Sequence, residues 1–123
     1  MLFTDMKLVE PIQKALAKSG FSSATPIQSQ AIPHILDNRD LIGIAQTGTG
    51  KTAAFTLPIL QLMYAQKRQL NTPRTLILAP TRELAAQIGE NVEQYGKFTG
   101  FRHTVIFGGV KQYSQEKALK RGV

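Results

Sequence analysis

Apolar residues recur four apart near the start of the chain: Leu8, Ile12 and Leu16, with Val9 and Ala15 widening the stripe. That spacing predicts a helix over residues 8–19 with one apolar face. Pro11 suits a first turn, and Gly20 is placed to stop the helix. A second helix is expected to start at Thr25-Pro26, with threonine as N-cap and proline at the first helical position. Pro33 is expected to break or offset that helix before Leu36. Then the rhythm changes. Residues 41–45 (Leu-Ile-Gly-Ile-Ala) form a short apolar run without alternation, the mark of a strand buried on both faces. Residues 75–79 and 103–107 are two more such runs. Helical stretches lie between them, over about 51–68 and 82–98, and a last helix is expected over 113–121. Strand, helix, strand, helix, strand predicts an α/β fold: a parallel sheet joined by helical crossovers, with helices on both faces. Three strands make a narrow sheet with unmanaged edges, so the chain reads as part of a larger α/β domain.

Composition narrows the chemistry. The 123 residues are enough for one domain or part of one. With 42% hydrophobic and 19% charged residues, the chain suits a globular fold and not disorder. It has no cysteine, which excludes disulfides, thiolate metal sites, Fe–S clusters and cysteine nucleophiles, and is compatible with a cytoplasmic location. The two histidines, His34 and His103, stand far apart, so a dedicated zinc site is not expected. His34, set among apolar residues, is expected to be partly packed, and His103 to be a strand residue. No apolar run approaches the roughly 20 residues of a membrane span. Asp5 and the lack of a long apolar stretch do not fit a signal peptide.

The net charge is +7, and it is lopsided: residues 1–60 carry five basic and four acidic groups, residues 61–123 ten and four. A basic half points to an anionic partner, nucleic acid first among them, with an ordinary basic surface as the alternative.

The strongest local motif is Ala45-Gln46-Thr47-Gly48-Thr49-Gly50-Lys51-Thr52, one residue away from the strict phosphate-loop pattern. Gly48 and Gly50 permit the backbone geometry that turns successive N–H groups inward as an anion nest. The helix expected from Lys51 points its positive dipole end at the same spot. Lys51 can reach the β- and γ-phosphates of a nucleotide, and Thr52 offers a hydroxyl to Mg²⁺. The bland alternative is a glycine-rich turn before a helix. The motif follows an expected strand and opens an expected helix, which is the context nucleotide binding requires.

The sequence resembles the DEAD-box RNA helicases of superfamily 2, over essentially its whole length. Four stretches carry the resemblance, in the family's order. Phe3, Gly20-Phe21 and Thr25-Pro26-Ile27-Gln28 resemble the Q motif with its upstream aromatic. The phosphate loop has the family's A-x-T-G-x-G-K-T form, in which Ala45 is the expected residue. Pro80-Thr81-Arg82-Glu83-Leu84-Ala85 looks like motif Ia, and Gly108-Gly109 matches a glycine doublet.

The resemblance implies a RecA-like phosphate-loop domain, present here in part over residues 1–123 and truncated before the acidic DEAD strand. Residues 1–30 would form the Q-motif region and 41–123 the truncated core. It implies ATP and Mg²⁺ as cofactors. Gln28 would read adenine and Phe3 would stack on the base, with Phe21 as apt for packing as for ligand contact. An amide carries both a donor and an acceptor, which suits adenine's N6 and N7 edge. Pro80, Thr81, Arg82, Gly108 and Gly109 would hold RNA through its backbone, without sequence preference. Thr81 would also cap a helix, and Glu83 is expected to be structural. Lys111, Lys117, Lys120 and Arg121 spread over several faces and are expected to be solvated.

No Asp-Glu pair occurs in the chain, so the acids that in this family hold Mg²⁺ and position water are missing. Phosphoryl transfer depends on such positioning. The parent protein is therefore expected to be an RNA-dependent ATPase that locally separates strands. The 123 residues alone are expected not to hydrolyse ATP, and to self-associate or distort through unpaired apolar strands. Two alternatives stand beside this: a DNA-directed superfamily 2 helicase, and a non-catalytic nucleotide- or RNA-binding module.

Overall fold

In the computed structural model, which describes residues 1–66 and 72–123, the chain is built from helices. A 3₁₀ turn, Phe3–Asp5, precedes α1 (Glu10–Lys18), α2 (Pro26–Leu36), α3 (Lys51–Ala65), α4 (Arg82–Tyr95) and α5 (Gln112–Arg121). The end of the helix expected to reach residue 68 lies outside the described residues.

Local chemistry explains most of the ends. Pro11 sits in the first turn of α1, and Gly20, with φ of +77°, follows its C-cap. Thr25 and Gln28 form a reciprocal capping box at α2: the Gln28 side chain accepts from the Thr25 N–H at 2.9 Å, and the Thr25 hydroxyl accepts from the Gln28 N–H. Thr81 caps α4 by accepting from the Leu84 N–H at 3.1 Å. An unusual cap comes from a neighbour: the Val9 N–H at the start of α1 donates to the Gln61 side chain of α3 at 2.6 Å.

Pro33 does not break α2, which runs on to Leu36. The proline ring is exposed while the adjacent Ile32 is fully buried. Burying such a side chain is worth about 1.5–3 kcal/mol, comparable to the cost of one proline in a helix interior. Pro58 likewise lies inside α3, and there it is buried.

The core gathers Phe3, Met6 and Leu8 with Ile12 and Leu16 of α1, Ile32 of α2, Ala53, Leu57 and Leu60 of α3, and Tyr95 of α4. Helix α3 is central, touching α1, α2 and α4, with α2 its most extensive partner. A Gln94 amide donating to the Ser19 hydroxyl at 2.8 Å fastens α4 to the end of α1. Among the described residues, α5 packs on no other helix.

The expected parallel sheet does not form among the described residues. Residues 41–45, 75–79 and 103–107 make no strand ladder. Ile42 and Ile44 are 91% and 89% exposed, Leu76 and Leu78 82% and 85%. The physical reason is that a strand has no hydrogen bonds of its own: its N–H and C=O groups pair only with an adjacent strand, and these runs do not pair with each other. Two of them still rest on helices. A side chain at Gly89 of α4 would run into Val105, so the 103–107 run lies directly on that helix. Residues 75–79 and 102–106, with α3 and α4, wall a cleft of about 760 Å³.

Candidate functional site

The loop from Ala45 to Gly50 leads into the N-terminus of α3. Gly48 and Gly50 hold φ of +81° and +85°, the left-handed conformation that favours glycine. Gly50 is the N-cap and offers no side-chain cap to the helix. The first N–H groups of α3 therefore have no intrahelical acceptor, which makes the site attractive to an anion. The Gly50 carbonyl accepts from Ala54 N–H at 3.1 Å. The loop is braced from within: Thr49 Oγ1 donates to the Gln46 carbonyl, and Lys51 Nζ to the Ala45 carbonyl, each at 2.6 Å. Lys51 is exposed, so its ammonium exchanges one oxygen ligand for another at little desolvation cost. Gln46, Thr47 and Gly48 are exposed as well, while Thr52 is half-buried in the first turn of α3.

Gln28 is brought to this loop from α2. Its Nε2 donates to the Gly50 carbonyl at 3.1 Å while its Oε1 accepts from Thr25 N–H. The residue is 6% exposed. Gln28 is thus a buried strut between a helix cap and the loop. One amide donor and one oxygen lone pair remain unused. Phe3 is elsewhere. Its ring is 3% exposed and packed in the core, not presented on the surface for stacking. Phe21 is 45% exposed and meets Tyr95 edge-on, at 6.3 Å between ring centroids. Burial raises the Tyr95 phenol above its ordinary range.

A second cluster joins the N-terminus of α4 to the loop after residue 107. The Arg82 guanidinium stands 5.5 Å from the Phe107 ring centroid. A Cβ on Gly109 would lie 3.8 Å from Arg82 Nη1, so the glycine backbone and the guanidinium are neighbours. The Phe107 N–H donates to the Gln115 side chain at 2.6 Å, which anchors the loop to α5. Pro80, Thr81, Arg82, Gly108 and Gly109 are all exposed, and Gly109 has φ of +76°. Arginine, helix N-terminus and glycine backbone converge on one open surface able to take phosphate oxygens.

His34 is exposed, not partly packed, and His103 is exposed in its extended run. Among the described residues no group of three or more metal-ligating side chains occurs, and no helix is long and apolar enough to cross a membrane. Sequence reading missed Phe98. Lys14, Lys18 and Lys97 hold their ammoniums 4.5, 5.3 and 5.8 Å from its ring centroid. The i, i+4 repeat of Lys14 and Lys18 was the available signal.

Comparison with known proteins identifies the family. The family model of the DEAD/DEAH box helicases matches residues 25–123. The chain is 49% identical to DEAD-box ATP-dependent RNA helicase 30 of Arabidopsis thaliana, over 99% of its own length and 21% of that relative. It is 44% identical to the ATP-dependent RNA helicase DeaD of Escherichia coli K12, over 98% of itself and 19% of that protein. Its fold is similar to the RNA helicase Prp28 from Chaetomium thermophilum bound to ADP, with a TM-score of 0.88 and 40% identity over 98% of this chain and 30% of that one. A DEAD box protein from Methanococcus jannaschii matches with a TM-score of 0.83 and 35% identity, over 99% of this chain and 33% of that one. The chain thus spans about a fifth of the length of these curated relatives.

Proposed function

The chain belongs to the DEAD/DEAH box helicase family, and on that footing we propose that it is the nucleotide- and RNA-binding start of an ATP-dependent RNA helicase. The observation that carries the reading is the joining of Gln28 to the phosphate loop at Gly50. An adenine reader and a phosphate cradle must sit side by side to select ATP, and the bond from Gln28 to Gly50 supports that pairing.

In this reading, Ala45 to Lys51 wrap the phosphates of ATP. The N–H groups opening α3 and the Lys51 ammonium, released from the Ala45 carbonyl, carry the charge recognition. The donor and lone pair that Gln28 keeps match the N7 acceptor and N6 donor of adenine. Phe3 packs in the core and donates its backbone N–H to the Ser22 carbonyl at 2.9 Å, which braces the Q-motif region. Thr52 would give Mg²⁺ one hydroxyl ligand. The loop carries no carboxylate, so the other ligands would come from phosphates, water and groups of the whole protein. Arg82, Thr81, Pro80, Gly108 and Gly109 hold the RNA backbone, with affinity and little sequence preference. Cleavage of the phosphoanhydride and strand separation belong to the whole protein; the 123 residues bind and do not hydrolyse. Neighbouring strands supplied by the whole protein complete the parallel RecA-like sheet. Without them, the exposed isoleucines and leucines of the extended runs favour self-association.

Calorimetric titration of this chain with ADP and then GDP, both with Mg²⁺, tests the nucleotide half. ADP binding with little GDP binding is expected. Equal binding removes the adenine role of Gln28. Binding of neither shows that the loop needs the rest of the sheet to take phosphate.

A further inference from the structure

Residues 1–3 lie antiparallel to residues 22–24, immediately before the capping box of α2. The Phe3 N–H donates to the Ser22 carbonyl and the Ala24 N–H to the Met1 carbonyl, each at 2.9 Å, on either side of an isolated bridge between Leu2 and Ser23. A ladder this short specifies its register weakly. Burial of the Phe3 ring does not settle the register either, because apolar burial has no direction. The direction comes from Gln13. Its Nε2 donates to the Phe3 carbonyl at 2.6 Å and reaches the Met6 carbonyl at 3.4 Å. One half-buried amide on α1 thus straddles the 3₁₀ turn that joins residues 1–3 to the rest of the chain.

The helix that carries Gln13 is a fixed post. Ile12 and Leu16 seat α1 in the core, and the side chain of Gln61 on α3 accepts the Val9 N–H at its start. A closed circuit of bonds results. It runs from α3 through Gln61 to α1, and through Gln13 to residues 1–3. It then crosses to residues 22–24 and passes through Thr25 and Gln28 to Gly50, where α3 begins. We propose that Gln13 is a positioning residue for adenine selection. By fixing the Phe3 carbonyl it sets residues 1–3 against 22–24, and so holds Thr25 and the Gln28 amide in place. This rests on the reading of Gln28 as the adenine contact. The phosphate cradle is built from α3 and the loop before it, which Gln13 does not touch. Loss of the Gln13 donor should therefore reach adenine recognition ahead of phosphate recognition. The competing view is that Gln13 only stabilises the 3₁₀ turn.

The test is calorimetric titration of the chain with ADP and with GDP, both with Mg²⁺, for the wild type, Gln13→Met, Gln13→Lys and Gln28→Ala. Methionine keeps the length and helix propensity of glutamine without a donor, whereas lysine keeps both and donates. Gln13→Met should lower the ratio of ADP to GDP affinity roughly three- to tenfold, the net effect of one hydrogen bond. Gln13→Lys should restore the ratio, in which the effect of its charge on the two nucleotides cancels. Amide hydrogen exchange reads the same device without a variant. Because coupling is reciprocal, ADP should slow exchange at the Ala24 and Thr25 N–H groups of the wild type more than GDP does. Equal protection by the two nucleotides overturns the proposal, even where Gln13→Met fails to fold. A Gln13→Met chain that melts lower yet keeps the wild-type ratio, or that loses ADP and GDP affinity equally, overturns it too and leaves Gln13 a structural contact. In that case a lost ratio in Gln28→Ala keeps the Gln28 reading standing. A wild-type chain that does not discriminate ADP from GDP overturns both.

Discussion

The side-chain amide of Gln28 donates to the carbonyl of Gly50 at 3.1 Å, tying the first turn of α2 to the residue that ends the phosphate loop. The same amide completes the α2 cap through Thr25. One side chain thus sets both the start of a helix and the shape of a loop. Gln28→Ala should lower stability by about 0.5–2 kcal/mol through the lost cap, and should weaken ADP binding further than Thr25→Ala does. A thermal melt and an ADP titration of the two variants separate the effects. Equal ADP affinities would show that the strut does not shape the loop.

Gly50→Ala attacks the same junction from the other side. Gly50 has φ of +85°, and a Cβ there would collide with the Gln28 amide. The backbone alone should cost about 1–2 kcal/mol. Gly48→Ala shares the positive φ but has open space at its Cβ. It should lose similar stability while leaving Gln28 in place. Comparing adenine selectivity of the two variants, as the ratio of ADP to GDP affinity, tests whether that collision matters.

Gly89 is the point where α4 accepts the 103–107 run, because Val105 occupies the space of a side chain. Gly89→Ala should destabilise by about 1–3 kcal/mol through overpacking, despite alanine's better helix propensity. Val105→Ala should restore part of that loss in a double-mutant cycle. Additive effects would mean that the two residues do not touch in solution.

The Tyr95 phenol is raised above its ordinary range by burial. A raised acid favours its neutral form in the folded chain. The stability it contributes is complete below the unfolded value of about 10 and falls as pH rises past it. Stability measured by denaturant titration should therefore decline above about pH 10, and Tyr95→Phe should flatten the tyrosine share of that slope.

The apolar runs predict association. Sedimentation of the 123-residue chain should show mass rising with concentration. Ile44→Lys together with Leu78→Lys should suppress the rise, since lysine on an unpaired strand disfavours edge pairing. A concentration-independent monomer would show that these runs are harmless as they stand.

Much of this was legible in the sequence, for physical reasons that differ by element. Helices α1 to α4 announced themselves because helical hydrogen bonds are local, and because Thr25, Thr81, Gly20 and Gly50 mark their ends by their own chemistry. The phosphate loop was readable because its glycine positions demand the backbone they adopt. The sheet could not be verified from its runs, since pairing depends on strands that residues 41–45 and 75–79 do not supply to each other. Pro33 misled because the local penalty was visible and the burial of Ile32 was not. Gln28 as a strut and Phe98 as a gathering point were hidden for one reason: each joins residues from different helices, Phe98 across more than 80 positions to Lys14.

The bond between Gln28 and Gly50 closes only 22 residues of chain, and that short span bears on the order of folding. Loop closure over such a distance is entropically cheap, and contacts near in sequence form fast. Helices α1 to α3 can therefore collapse on one another early, while synthesis proceeds at roughly 5–20 residues per second. Ile42 and Ile44 sit inside that early unit with nothing yet beside them. While these side chains stand uncovered, a chaperone, or a second nascent chain, can bind the same run.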